Sequence, residues 1–150
     1  MNIVGMVHVN INCTNYQRSK QFYELLGFEE VWQVPETNTE EVAMAVGMPP
    51  YKVEGALLSL KNASTPVVID LLQWKEPSDS RPPYPHLYHT GLARLALQTT
   101  DLRADYNYLQ QAGVEILSEP ATVATGDGHG SRFFCFRDPD GTYLELVESF

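Results

Sequence analysis

Apolar and polar residues alternate near the start of the chain, where Val7, Val9, Ile11 and Cys13 interleave with His8, Asn10 and Asn12. A period of two predicts a strand with one face on a core and the other open to solvent or ligand. The period then changes. Ser19, Phe22, Tyr23 and Leu26 recur at helical spacing behind the capping residue Asn15, and Gly27 supplies a left-handed stop. A short strand follows near residues 28–34. Residues 56–60 and 66–74 predict two more strands around the turn Asn62-Ala63-Ser64-Thr65.

The same succession occurs twice. Sliding the chain by 86 positions lays Gly5-Met6-Val7-His8-Val9-Asn10-Ile11 on Gly91-Leu92-Ala93-Arg94-Leu95-Ala96-Leu97. Asp101 caps the second helix, Leu102, Tyr106, Leu109 and Ala112 form its stripe, and Gly113 ends it. A strand near 114–116 and two more at 133–136 and 142–148 complete the copy, the last pair flanking Asp138-Pro139-Asp140-Gly141. The prediction is an α+β fold of two tandem βαβββ modules, residues 3–74 and 90–149, within one domain spanning 1–150. A linker at 75–89, with four prolines, joins them over the surface. The mixed sheets are expected to curve around a central pocket.

Composition narrows the partners. With 19 acidic against 10 basic side chains the formal charge is −9, which repels phosphate backbones and argues against nucleic acid. No apolar stretch is long enough for a bilayer and no leader pattern opens the chain, so a cytoplasmic protein with no membrane partner is expected. Cys13 and Cys135 make neither a disulfide framework nor a zinc motif and read as small core residues.

The chemistry concentrates where the copies correspond. If Val7, Val9 and Ile11 face the helix, then His8, Asn10 and Asn12 face the other way, as do Arg94, Ala96 and Gln98 in the second copy. Asp70 lies within Val67-Val68-Ile69-Asp70-Leu71-Leu72 and Glu145 within Tyr143-Leu144-Glu145-Leu146-Val147. A carboxylate inside such a run is costly to bury unless paired or bound to a cation, and two at equivalent positions point to a shared polar centre. Asn10 and Gln98 are candidate ligand contacts. Trp74, Tyr88 and Tyr143 could stack on a flat substrate or pack as core, and His129, in Gly126-Asp127-Gly128-His129-Gly130, sits in a flexible loop able to close over a ligand. His86 and His89 read as solvated linker residues.

The pattern Phe22-Tyr23-Glu24-Leu25-Leu26-Gly27-Phe28, then Gly91-x-x-Arg94-x-Ala96, then Asp138-Pro139-Asp140-Gly141-x-x-x-Glu145-Leu146 resembles the vicinal oxygen chelate superfamily. That group includes glyoxalases, extradiol dioxygenases, epimerases, fosfomycin-resistance enzymes and bleomycin-binding proteins. The resemblance covers nearly the whole chain and implies a homodimer acting on a small organic ligand. It also implies that metal-using members place ligands at His8, Asp70, Arg94 and Glu145. Arg94 breaks that set, because a guanidinium stays protonated, only donates hydrogen bonds, and repels a divalent ion. No cofactor is therefore expected. If a metal (Zn, Ni, Mn or Fe) is held, its ligands are His8, Asp70 and Glu145.

Three functions follow. The first is an isomerase, epimerase or lyase with His8, Asp70, Arg94 and Glu145 as its catalytic group. There Glu145 or Asp70 shuttles a proton, and Arg94 holds a developing oxyanion or a substrate carboxylate. The second is a protein that sequesters a toxic compound. The third is a metal-dependent glyoxalase or dioxygenase.

Overall fold

The structure, a computed structural model, describes residues 1–37 and 40–150. The chain divides into two compact units, Met1–Arg81 and Pro82–Phe150. The first contains β1 (Val9–Asn12), α1 (Tyr16–Leu25), β2 (Phe28–Val34), α2 (Glu40–Ala45), β3 (Lys52–Leu60) and β4 (Val68–Glu76). The second contains β5 (Leu95–Gln98), α3 (Leu102–Gln111), β6 (Ala121–Gly126), β7 (His129–Arg137) and β8 (Tyr143–Ser149). Each is a βαβββ module, the first with α2 as an insertion.

Each module forms a four-stranded mixed sheet, ordered β1-β4-β3-β2 in the first and β5-β8-β7-β6 in the second. The first strand runs parallel to the last, and the remaining pairs are antiparallel. The last strand therefore lies inside the sheet, with one face turned to a core. In the first unit that core includes Ile11, Tyr23, Phe28, Leu58, Ile69 and Leu71; in the second it includes Leu97, Leu109, Phe134, Phe136 and Leu144. Burying each such side chain stabilises the fold by about 1.5–3 kcal/mol.

The helices are fastened by matching devices. The Asn15 side chain accepts from the Arg18 amide at 2.9 Å, and that of Asp101 from the Ala104 amide at 3.0 Å. The last strand adds a second acceptor, Gln73 for the Tyr16 amide and Glu148 for the Leu102 amide, at 2.9 and 3.0 Å. Helix N-termini leave amides without intrahelical partners, so each acceptor both caps a helix and fixes it to its sheet. Gly27 and Gly113 end the helices at φ +92° and +76°.

Several boundaries differ from expectation. Lys75 and Glu76, expected in the linker, continue β4, where Glu76 pairs with Lys52 in the ladder and by a 3.0 Å ion pair. The edge strand of the second unit is β6, at Ala121–Gly126, and not residues 114–116. The apolar pair Val114 and Ile116 is too short to propagate a ladder, and Ile116 makes only an isolated bridge to Phe136. Val7, expected to face the helix, precedes β1 and is 81% exposed. Ala112, expected in the α3 stripe, caps that helix and is exposed. Helix α2 carries too short an apolar pattern to announce itself. Its first turn holds Glu40 and Glu41, which suit the positive end of a helix. Among the described residues, no helix is long and apolar enough to cross a membrane.

Candidate functional site

Ladder register decides which side chains surround the two strand acids. In the first unit Asp70 is flanked by Asn10 on β1 and Leu57 on β3. In the second Glu145 is flanked by Ala96 on β5 and Cys135 on β7. Residues paired across a ladder share a sheet face, so each acid and its two flanking residues project from the side opposite its helix.

Around Asp70 the contacts are soft. The Asn10 amide donates to the Asp70 backbone carbonyl at 2.9 Å and reaches its carboxylate at 3.4 Å. His8, just before β1, holds Nε2 at 3.9 Å from Oδ2, within ion-pair range but beyond a hydrogen bond. The Asp70 side chain retains 18% of its exposure. Burial pushes its carboxyl up from the ordinary value, partly opposed by the charge of His8 and the hydrogen bond from Asn10. This carboxylate is partly desolvated and, among the described residues, has no arginine or lysine partner.

Around Glu145 the contact is firm. Glu145 is 7% exposed, and the Nε–H of Arg94, just before β5, donates to its Oε2. The Arg94 side chain is 44% exposed, so the pair joins a sunken carboxylate to a guanidinium that reaches solvent. Cys135 is half-buried beside this pair. Burial first, then the negative charge of Glu145, push its thiol up, while Arg94 opposes them. Cys135 is thus not the core residue expected. Counting outward from the Pro139-Asp140 turn would have found it, since Arg137 meets Tyr143, Phe136 meets Leu144 and Cys135 meets Glu145.

The other candidates are placed as follows. Trp74 lies four residues beyond Asp70 along β4, about 13 Å at strand rise. Its Nε1–H donates to the Asn12 side chain at 2.9 Å, and its ring meets Tyr51 with centroids 4.8 Å apart. Neither Asn12 nor Tyr51 was expected in that role. Gln98 is exposed opposite Val147. Tyr143 is buried, with Arg137 over its ring, and its hydroxyl donates to the Pro85 carbonyl at 3.1 Å. His129 opens β7, paired with Gly126 across a tight hairpin, so it belongs to no loose loop. Cys135 lies six positions farther along the strand, about 20 Å away. His86 stacks on Tyr88 and His89 on Tyr84, which separates the two imidazoles into different ring pairs.

The donor set does not fit a four-ligand metal centre. Arg94 occupies one of the four positions and cannot ligate, and its guanidinium already engages the Glu145 carboxylate. Among the described residues, no group of three or more His, Cys, Asp or Glu side chains is gathered closely enough to hold an ion.

Comparison with known proteins agrees with this architecture. Residues 5–146 match the family model described as Glyoxalase/Bleomycin resistance protein/Dioxygenase superfamily. The uncharacterized protein YwkD of Bacillus subtilis (strain 168) is 34% identical over 142 residues, covering 94% of each chain. A 2-epi-5-epi-valiolone epimerase of Actinomyces sp is 34% identical over 80 residues, which span 53% of this chain and 43% of that protein. A glyoxalase family protein from Bacillus cereus superposes with a TM-score of 0.82 at 19% identity, covering 100% of this chain and 97% of the other.

Proposed function

The chain belongs to the Glyoxalase/Bleomycin resistance protein/Dioxygenase superfamily, and from that premise we propose an enzyme that moves a proton on a small oxygenated substrate, as an isomerase, epimerase or lyase does. The observation that carries the reading is the contrast between the acids. Glu145 is committed to Arg94, whereas among the described residues Asp70 has an amide and an imidazole as its polar neighbours. A general base must be able to bind and release a proton near the working pH, and a carboxyl raised by desolvation moves toward that range. Asp70 takes the proton from carbon. The charge of His8, whose Nε2 lies 3.9 Å away, favours the ionised carboxylate before transfer, and Asp70 then gives the proton back to the substrate or to solvent. The partial relative named as an epimerase supports the reaction class; its substrate is not carried over.

The experiment is deuterium uptake from D2O into a panel of small hydroxy- and oxo-compounds, charged and uncharged, read by mass spectrometry. The wild type should label at least one compound at carbon, and Asp70→Asn should reduce that labelling by at least about 100-fold, the usual size of a general-base contribution. Labelling that survives Asp70→Asn would overturn the assignment. A compound that binds tightly and is recovered unlabelled would favour sequestration over catalysis.

A further inference from the structure

The second unit has a feature that proton transfer at Asp70 does not use. Arginine carries five N–H donors, and Arg94 commits its Nε–H to Glu145. Among the described residues Arg94 makes no other hydrogen bond, so the donors on its two terminal nitrogens are unassigned on a side chain 44% exposed. The buried carboxylate fixes the guanidinium and offsets its charge without covering that outer edge. An arginine held in this way is organised in advance for a planar, two-oxygen acceptor, because two parallel N–H bonds match the spacing of a carboxylate.

The neighbouring positions leave room for such a group. Beside Asp70 the flanking residues are Asn10 and Leu57; beside Glu145 they are Ala96 and Cys135. Ala96 is exposed and ends at its methyl group, which lowers the surface next to the ion pair. Electrostatics restricts the ligand further. The chain carries a formal charge of −9, and Glu145 is ion-paired with the guanidinium, so a dianion is penalised more than a monoanion.

We infer that the outer edge of Arg94, at the ion pair flanked by Ala96 and Cys135, binds the carboxylate of a small monoanionic ligand. This goes beyond the function proposed above and does not rest on it; the binding site stands on the second unit alone. The carboxylate spans the two terminal nitrogens, Glu145 holds the guanidinium from below, and the remainder of the molecule extends over the face left open by Ala96.

Titration calorimetry with benzoate, its uncharged isostere benzamide, and inorganic phosphate tests the proposal on the whole chain. Benzoate should bind in the millimolar range, and benzamide at least about tenfold more weakly. Arg94→Lys keeps a charge for Glu145 but loses the planar fork, and Ala96→Leu fills the space while leaving the ion pair intact. Each should weaken benzoate by about tenfold. Far-UV circular dichroism establishes that both variants fold, and because they perturb the site differently, one folded variant is sufficient. Benzamide binding as tightly as benzoate, phosphate binding more tightly, benzoate unaffected in a folded variant, or no benzoate binding to the wild type would each overturn the assignment. Benzoate binding without any deuterium uptake would leave this site standing and remove the catalytic reading.

Discussion

In the first unit Asp70 receives one amide from Asn10 and faces His8 across 3.9 Å, while in the second the equivalent acid, Glu145, is clasped by Arg94 and sunk to 7% exposure. The backbone around them is closely matched. Each acid sits on the last strand, opposite the same position of the first, and each helix is fastened by the same pair of acceptors. The difference is confined to a few side chains, His8 against Arg94, Asn10 against Ala96, and Leu57 against Cys135. Duplication thus supplies two equivalent seats for a carboxylate, and substitution beside them leaves one partly desolvated with soft contacts and the other clasped by a guanidinium.

Exchanging the roles of the acids gives the largest effect. Asp70→Asn should lower deuterium uptake by at least about 100-fold, while Glu145→Gln, which still accepts a hydrogen bond from Arg94, should cost less than about tenfold. The reverse order would invert the comparison. A second contrast concerns stability. Arg94→Gln leaves a buried carboxylate without its cation and should cost about 2 kcal/mol in urea denaturation, below the range for fully buried pairs because Arg94 is partly solvated. His8→Gln, removing only a long contact, should cost less than about 0.5 kcal/mol. Equal losses would mean that the two pairs are alike.

The repeat made much of this readable from sequence. Strand alternation from Val9 onward, the caps Asn15 and Asp101, and the stops Gly27 and Gly113 are local features governed by short-range sterics and hydrogen bonding, and they are seen as expected. The positions of Asp70 and Glu145 were legible because burying a carboxylate in an apolar run demands an explanation. What escaped was non-local. Ladder extent placed β6 at Ala121–Gly126 and carried β4 through Glu76, and neither is encoded in a three-residue apolar pattern. Cys135 was misread because it lies in an apolar run with Phe134 and Phe136, although alternation turns its side chain to the opposite face.

Smaller effects sharpen the first unit. Asn10→Ala, which copies the small neighbour of Glu145 into the first site, should cost about 1 kcal/mol by removing the bond to the Asp70 carbonyl. Asp70→Asn should show a pH-dependent gain in thermal stability. A carboxyl raised on folding favours the fold below its unfolded value and loses that contribution as pH rises through the folded value. The ionised wild type is therefore penalised at pH 7. The variant should melt higher there by roughly a few degrees, the gain shrinking as pH falls through the raised folded value and vanishing below the ordinary aspartate value. A gain that grows on acidification would reverse the sign.

The proposed division of labour between the acids rests on the state of Asp70, and a carbon-13 NMR titration of its carboxyl reads that state without any substrate. The midpoint should lie above the ordinary aspartate value of 3.8 and rise further in His8→Gln and Asn10→Ala, since both neighbours favour the ionised form. A midpoint at or below that value, or one that falls when either neighbour is removed, would contradict the role assigned to Asp70.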